Sequence, residues 1–184
     1  DNVNYYSTTY YNPLFGNAAT VSGRLTKENY RMFSYTFNQL LTYEKKVNDH
    51  SFDVLLGHES YSYLYNYLTA QKTGFPFAGL YELTAGSTIA DADSYEHNYR
   101  IESYFSRLNY GFMDKYYLSG SFRTDGSSRF NLENNWGNFW SAGASWRISQ
   151  EAFMKDLSWI DNMTLKASYG EQGNDAIGSY YAWQ

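Results

Sequence analysis

The sequence predicts an all-β fold whose strands cross a membrane as part of an antiparallel barrel. Three observations support this prediction: apolar and polar side chains alternate with a period of two, aromatic residues make up 21% of the chain, and short and long connections alternate. A period of two is typical of a strand whose faces meet different surroundings. A transmembrane β-barrel strand has lipid on one face and a polar interior on the other.

The clearest alternation covers residues 140–148, read WSAGASWRI. One face would carry Trp140, Ala142, Ala144, Trp146 and Ile148, and the other Ser141, Gly143, Ser145 and Arg147. The same pattern predicts strands over 33–43, 104–112, 116–123 and 163–170. With the weaker segments we expect about seven strands, fewer than the roughly eight of the smallest bacterial barrels. The chain is therefore expected to be a segment of a larger barrel.

The connections predict an up-and-down order of strands. Compact turns are expected at 44–50 and 113–115, and a short helix capped by Ser149 is expected before the last strand. Longer loops are expected at 11–29, 73–93 and 124–135, where Gly, Pro, Asn and Asp interrupt the pattern. Membrane barrels alternate short turns on one side with long loops on the other in this way.

Composition excludes several classes of function. The net charge of −5 argues against a nucleic-acid partner, and the lack of cysteine excludes disulfides and cysteine metal sites. No apolar run reaches the roughly 18 residues of a membrane-spanning helix. The three histidines, His50, His58 and His97, lack the spacing of a metal site, and no nucleophile motif is present. We therefore expect no catalytic residues, no cofactor and no metal.

The alternation also assigns side chains to faces. We expect lipid to contact Leu108, Leu118, Ala142, Ala144, Trp146 and Leu165, and the lumen to be lined by Arg107, Asn109, Arg123, Arg147 and Lys166. Four tyrosines, Tyr61, Tyr63, Tyr65 and Tyr67, share the parity of Asp53 and Glu59. On a strand that continues above the membrane these rings would line an extracellular vestibule and stack on cargo. The alternative is that they pack against neighbouring loops or form an outer girdle.

Three ordered motifs resemble one family. Residues 106–130 (SRLNYGFMDKYYLSGSFRTDGSSRF), 136–155 (WGNFWSAGASWRISQEAFMK) and 165–183 (LKASYGEQGNDAIGSYYAW) resemble the SusC/RagA-type TonB-dependent outer-membrane transporters of Bacteroidota. The resemblance implies a barrel of about 22 strands, filled by an N-terminal plug domain. It also implies that residues 1–184 are a partial barrel domain, with the plug domain and the barrel ends outside it. A new strand is expected to begin near Tyr180.

The resemblance carries further expectations about activity and partners. Such transporters sit in the outer membrane and import glycan oligosaccharides or peptides, together with a SusD-like surface lipoprotein. TonB supplies energy through an N-terminal segment, and the expected assembly is a pair of transporter–lipoprotein units. Charged luminal residues would then more often dock the plug or face solvent than bind cargo. A passive outer-membrane porin and a soluble all-β binding module remain the alternatives.

Overall fold

The computed structural model describes residues 1–131, 133, 135–155, 157 and 159–175. These residues form the strands β1 (Asn2–Tyr11), β2 (Arg24–Val47), β3 (His50–Thr73), β4 (Thr88–Phe112), β5 (Tyr116–Ser127), β6 (Trp136–Arg147) and β7 (Thr164–Gly170). The strands follow chain order in one sheet, and the described pairs are antiparallel. The all-β fold and the expected number of strands are confirmed. The strand expected near Tyr180 lies outside the described residues.

The strands fall into two length classes. β2, β3 and β4 have 24, 24 and 25 residues, whereas β5 and β6 have 12 each. A tilted strand needs about 9–11 residues to cross the hydrocarbon layer. The three long strands therefore exceed a single crossing by a factor of more than two, and the two short ones match it.

Two of the predicted loops were too long. β2 begins at Arg24 and β4 at Thr88, so residues 24–29 and 88–93 are strand, and the loops cover only 12–23 and 74–87. These strand ends carry both polar and apolar side chains, including the buried Leu25 and the exposed Ile89. The sequence analysis placed them in loops because Gly, Pro, Asn and Asp interrupt the pattern beside them. The backbone ladder nevertheless continues through β2, as the pairing of Thr9 with Thr26 shows. In the third predicted loop, β5 continues to Ser127.

The turns after β2 and β4 are tight. Met113 and Asp114 both have φ of 54°, and the Lys115 amide donates to the Phe112 carbonyl at 3.0 Å, which confirms the predicted turn. The turn expected at 44–50 reduces to Asn48 and Asp49, because β2 continues to Val47. Positive φ at successive residues matches the twist of the flanking strands, which favours such two-residue turns.

The prediction of a capped helix after β6 was wrong. Two single 3-10 turns stand there, Ile148–Gln150 and Ala152–Met154, and neither has a side-chain cap. Glu151 between them is extended, with ψ of 151°, so the helical path is interrupted. Its carboxylate instead accepts hydrogen bonds from residues of β5 and β6 and the turn before them, as described below. Among the described residues no helix has the length and apolar character needed to cross a membrane.

Contacts divide the chain into two compact units. Unit 1 consists of Asp1–Tyr35 and Ser62–Tyr99, and unit 2 of Thr36–Tyr61 and Arg100–Gln184. In unit 1 the loops 12–23 and 74–87 are bonded together: the Gly74 amide donates to the Val21 carbonyl at 3.0 Å and the Phe75 amide to the Ser22 carbonyl at 2.7 Å. This unit contains the most buried apolar side chains of the described chain, Ala18, Leu25, Phe75 and Tyr99.

Candidate functional site

In unit 2 the strand register separates the side chains onto two faces. Leu118 pairs with Tyr110 on β4 and Ala144 on β6, while its neighbour Ser119 pairs with Asn109 and Gly143. The apolar face carries all six residues predicted to contact lipid, Leu108, Leu118, Ala142, Ala144, Trp146 and Leu165. The polar face carries all five predicted to line the lumen, Arg107, Asn109, Arg123, Arg147 and Lys166.

Two rows of aromatic rings stand on the apolar face, with Phe122, Trp140 and Tyr169 between them. The turn-side row contains His50, Tyr110, Phe112, Tyr116 and Trp146, with neighbouring ring centroids 4.8 to 6.4 Å apart. The loop-side row contains His58, Tyr104 and Trp136, with centroids 4.9 and 6.2 Å apart. Trp146 and Trp136 are ten positions apart on β6, or about 33 Å along the strand. For strands tilted from the barrel axis by the usual angle of about 35–45°, this corresponds to about 25 Å along that axis, which is the height of the apolar band of a membrane barrel.

One polar cluster interrupts the apolar face, at the level of the loop-side row. His58 Nε2 contacts Glu102 Oε1, and His58 Nδ1 lies 3.2 Å from Gln39 Oε1. The His58 ring also stacks on Tyr104. A carboxylate is costly inside hydrocarbon but is tolerated where lipid headgroups and water begin. The cluster therefore lies where the apolar band ends.

The polar face is held together by Arg123. Its Nε donates to both carboxylate oxygens of Asp125, at 2.7 and 3.0 Å, and its Nη2 donates to Glu59 at 3.2 Å and to Ser103 at 2.9 Å. The guanidinium also lies 5.1 Å from the centroid of the Phe105 ring. Arg123 thereby ties β3, β4 and β5 together, with both carboxylates paired to one cation.

The backbone of β3 also lies close to the Phe105 ring, at Gly57. A Cβ on Gly57 would lie 2.2 Å from the Phe105 ring, so only glycine lets β3 approach the ring this closely. Nearer the turns, Asn109 donates to Asp53 at 2.8 Å, and the Arg107 guanidinium lies 3.8 Å from the same carboxylate. Arg107 and Arg123 thus pair with carboxylates of strand β3.

Unit 1 carries a cluster of tyrosines. Tyr30 on β2 has its ring centroid 5.0 Å from that of Tyr67 and 6.4 Å from that of Tyr65, both on β3. Tyr95 on β4 lies 4.9 Å from Tyr67 and 5.9 Å from Tyr65, and Tyr5 lies 5.9 Å from Tyr30. The Tyr67 hydroxyl donates to Glu28 at 3.2 Å. We call Tyr5, Tyr30, Tyr65, Tyr67 and Tyr95 the tyrosine cluster.

Of the four tyrosines predicted to form one surface, the structure brings Tyr65 and Tyr67 into the cluster. Tyr63 belongs to the same unit, whereas Tyr61 belongs to unit 2; all four are half-buried. The sequence analysis missed Tyr30 and Tyr95, along with His97, whose ring stacks at 6.0 Å on Tyr65. Alternation of Tyr95, His97 and Tyr99 was the available signal, in the stretch between the predicted loop 73–93 and the predicted strand 104–112.

Comparison with known proteins identifies the family. No family model matches the chain. The chain is 28% identical over 162 residues to the TonB-dependent receptor SusC of Bacteroides thetaiotaomicron, covering 88% of the chain and 16% of that protein. To TonB-dependent receptor P3 of Formosa agariphila it is 32% identical over 173 residues, covering 88% and 16%.

A solved structure of the RagAB peptide transporter matches with a TM-score of 0.88 and 29% identity, over 98% of this chain and 20% of that one. The chain belongs to the SusC/RagA-type TonB-dependent transporters. It spans about a fifth or less of the length of the relatives that it matches. The relatives named above are TonB-dependent receptors and a peptide transporter rather than enzymes, and the chain is a segment of an outer-membrane β-barrel. No group of three or more metal-binding side chains occurs in the described ranges.

In this SusC/RagA-type segment, Glu151 is the centre of a further cluster, in the connection between β6 and β7. The carboxylate accepts hydrogen bonds from the Tyr116 hydroxyl at 2.5 Å, from Lys115 Nζ at 3.0 Å and from Trp146 Nε1 at 3.1 Å. These three donors lower the pKa of Glu151 to about 2, with the Tyr116 hydroxyl contributing most. The cluster fixes the connection between β6 and β7 to the aromatic rings of the turn-side row.

Proposed function

We propose that the chain forms part of the barrel wall of an energised nutrient importer. In this proposal the whole protein is a SusC-like TonB-dependent transporter that imports glycan oligosaccharides or peptides with a SusD-like surface lipoprotein. The observation that carries the proposal is the RagAB match, which extends over 98% of the chain. Residues 1–184 are then a partial barrel domain, and the rest of the protein supplies the plug, the TonB-contacting segment and the remaining strands. The assembly is a pair of transporter–lipoprotein units.

We further propose an orientation for the wall. The tight turns at 48–49 and 113–114 face the periplasm, and the loops 12–23 and 74–87 face outward, because outer-membrane barrels place short turns inside and long loops outside. The apolar face of unit 2 contacts lipid between the two aromatic rows. The polar face borders the lumen or the plug, where the Arg123 pairs are shielded from lipid. The spacing of the rows, about 25 Å, supports this assignment.

The tyrosine cluster is proposed as part of the extracellular vestibule that cargo passes. Tyr65 and Tyr67 share one parity on β3, and their rings lie against Tyr30 and Tyr95 of the neighbouring strands. Ring faces stack on sugars or on the side chains of peptides, and the hydroxyls and Glu28 offer hydrogen bonds. The predicted neighbours Tyr61 and Tyr63 extend the same series toward the lumen.

Uptake by the full-length transporter tests the energised mechanism. Radiolabelled cargo should accumulate in cells that contain TonB and lose most of that accumulation when TonB is deleted or the proton gradient is collapsed. Uptake that persists in both conditions would favour a passive porin. Deletion of the gene for the neighbouring lipoprotein should lower cargo affinity, and unchanged affinity would argue against the proposed partnership.

Alanine variants test the vestibule. Replacement of Tyr30, Tyr65, Tyr67 and Tyr95 together should lower cargo affinity by about thirtyfold, since four lost stacking contacts of roughly 0.5 kcal/mol each sum to about 2 kcal/mol. The matched control replaces Tyr6 and Tyr35, which are exposed tyrosines of the same unit outside the cluster. Equal affinity in both variants would mean that the cluster only packs neighbouring strands together.

A further inference from the structure

The segment 148–163, between β6 and β7, exposes large apolar side chains at the turn edge of unit 2. Trp159 is 78% exposed and Phe153 is 64% exposed, and Leu157 and Met163 are also exposed. Large apolar side chains that gather in one short exposed segment typically mark contact with a membrane or another molecule. Phe153 lies within the second 3-10 turn, Ala152–Met154, directly after Glu151.

The attachment of the segment connects it to the apolar face. Glu151 is bound by the Tyr116 hydroxyl and the Trp146 indole, and both rings belong to the turn-side aromatic row. The Ser149 amide donates to the Met163 carbonyl at 3.1 Å, which closes the base of the segment next to β7. The segment is therefore bonded through Glu151 to two rings of the apolar face, whereas the ion pairs of Arg123 lie on the opposite face of the sheet.

We infer that the 148–163 segment lies in the headgroup layer of the inner leaflet and inserts Phe153 and Trp159 into a phospholipid surface. This inference rests on the orientation proposed above, in which the turn edge faces the periplasm. Trp and Phe favour the boundary between headgroups and acyl chains, where one part of the ring is apolar and the other is wet. Lys155, two residues after Phe153, can reach phosphate from the same boundary.

Depth-dependent quenching in the full-length transporter, reconstituted in phosphatidylcholine and phosphatidylglycerol vesicles, tests the inference. Single cysteines bearing an environment-sensitive fluorophore replace Trp159, Leu118 or Phe77, and nitroxides are placed on the lipid headgroup or deep in the acyl chain. The described segment contains no cysteine of its own, so any native cysteines elsewhere in the transporter are first replaced by serine. All three positions are exposed, so the labels do not disturb a core.

The label at 159 should lose about half of its fluorescence to headgroup nitroxides, as expected for a side chain in the interface. The label at 118 should respond most to deep nitroxides, and the label at 77 to neither. An insensitive label at 159 beside a quenched label at 118 would overturn the inference and leave the proposed lipid-facing band intact. Insensitivity at 118 would overturn the lipid-facing band itself. A blue-shifted but unquenched label at 159 would mean that a protein surface covers the segment.

Discussion

The two units of the chain place their aromatic residues in opposite ways. In unit 2 the rings of the two rows lie on the apolar face, and the ion pairs of Arg123 and Asp53 lie on the other. In unit 1 the tyrosine cluster shares its surroundings with Glu28, and the apolar core lies elsewhere, around Leu25 and Phe75. Strict separation suits a wall between lipid and water. Mixed rings and polar groups suit a surface that meets water and cargo.

The largest effect is expected from a substitution in the buried core of unit 1. Phe75→Ala should destabilise unit 1 by about 3–5 kcal/mol, because a side chain that is 2% exposed and packs beside Gly86 leaves a cavity. Limited proteolysis of the full-length transporter should then cut the loops 12–23 and 74–87 faster. Phe77→Ala, an exposed phenylalanine two residues away, is the control. Equal cleavage in both variants would show that the loops lack a core.

Replacing an exposed leucine by arginine should destabilise unit 2 more than unit 1. Leu118→Arg in unit 2 should cost about 2 kcal/mol in unfolding from lipid vesicles, because Leu118 pairs with Tyr110 of the turn-side row and so lies nearer the end of the apolar band than its middle. Leu68→Arg in unit 1 is the matched variant, since both leucines are 56% exposed. It should cost less than about 0.5 kcal/mol, as is usual for a surface substitution. Similar costs for both would contradict the assignment of only unit 2 to the membrane.

Loss of Arg123 should have a smaller effect. Arg123→Met leaves Glu59 and Asp125 without their shared cation, and we expect a cost of about 1–2 kcal/mol because the group is partly exposed and solvent screens the charges. Urea unfolding of the full-length transporter measures it. Adding Glu59→Gln and Asp125→Asn should recover part of the loss. Arg107→Met, which removes a single contact of 3.8 Å, is the control and should change little.

The smallest effect is expected from protonation of Glu151 at low pH. The pKa of Glu151 is about 2 in the folded chain, below its ordinary value of 4.5, so its bonds stabilise the turn edge above pH 4.5. That contribution falls as the pH drops from 4.5 toward 2 and the carboxylate takes up a proton. Hydrogen exchange of the Ala152–Met154 amides should therefore accelerate on acidification, after correction for intrinsic rates. Glu151→Gln should exchange fast already at pH 6; a wild-type rate there would refute the assignment.

How much could be predicted from the sequence differs between the units. In unit 2 the period of two placed Leu118 and Ala144 on one face and Arg123 on the other, as the strand register has them. In unit 1 residues 24–29 and 88–93 were interpreted as loop, because Gly, Pro, Asn and Asp interrupt the pattern beside them. The tyrosine cluster joins Tyr30, Tyr65 and Tyr95 from three strands, and such cross-strand contacts depend on register that periodicity alone does not give.

The joined loops of unit 1 also determine where a foreign peptide can be displayed. Gly16 has a φ of 82° and no other atom within 4 Å of where its Cβ would stand, so the tip of the loop 12–23 is sterically free. The base of the same loop is fixed by the bonds from Gly74 and Phe75. An epitope tag inserted at Gly16 should therefore leave these bonds intact and, in the proposed orientation, be accessible to antibody on living cells.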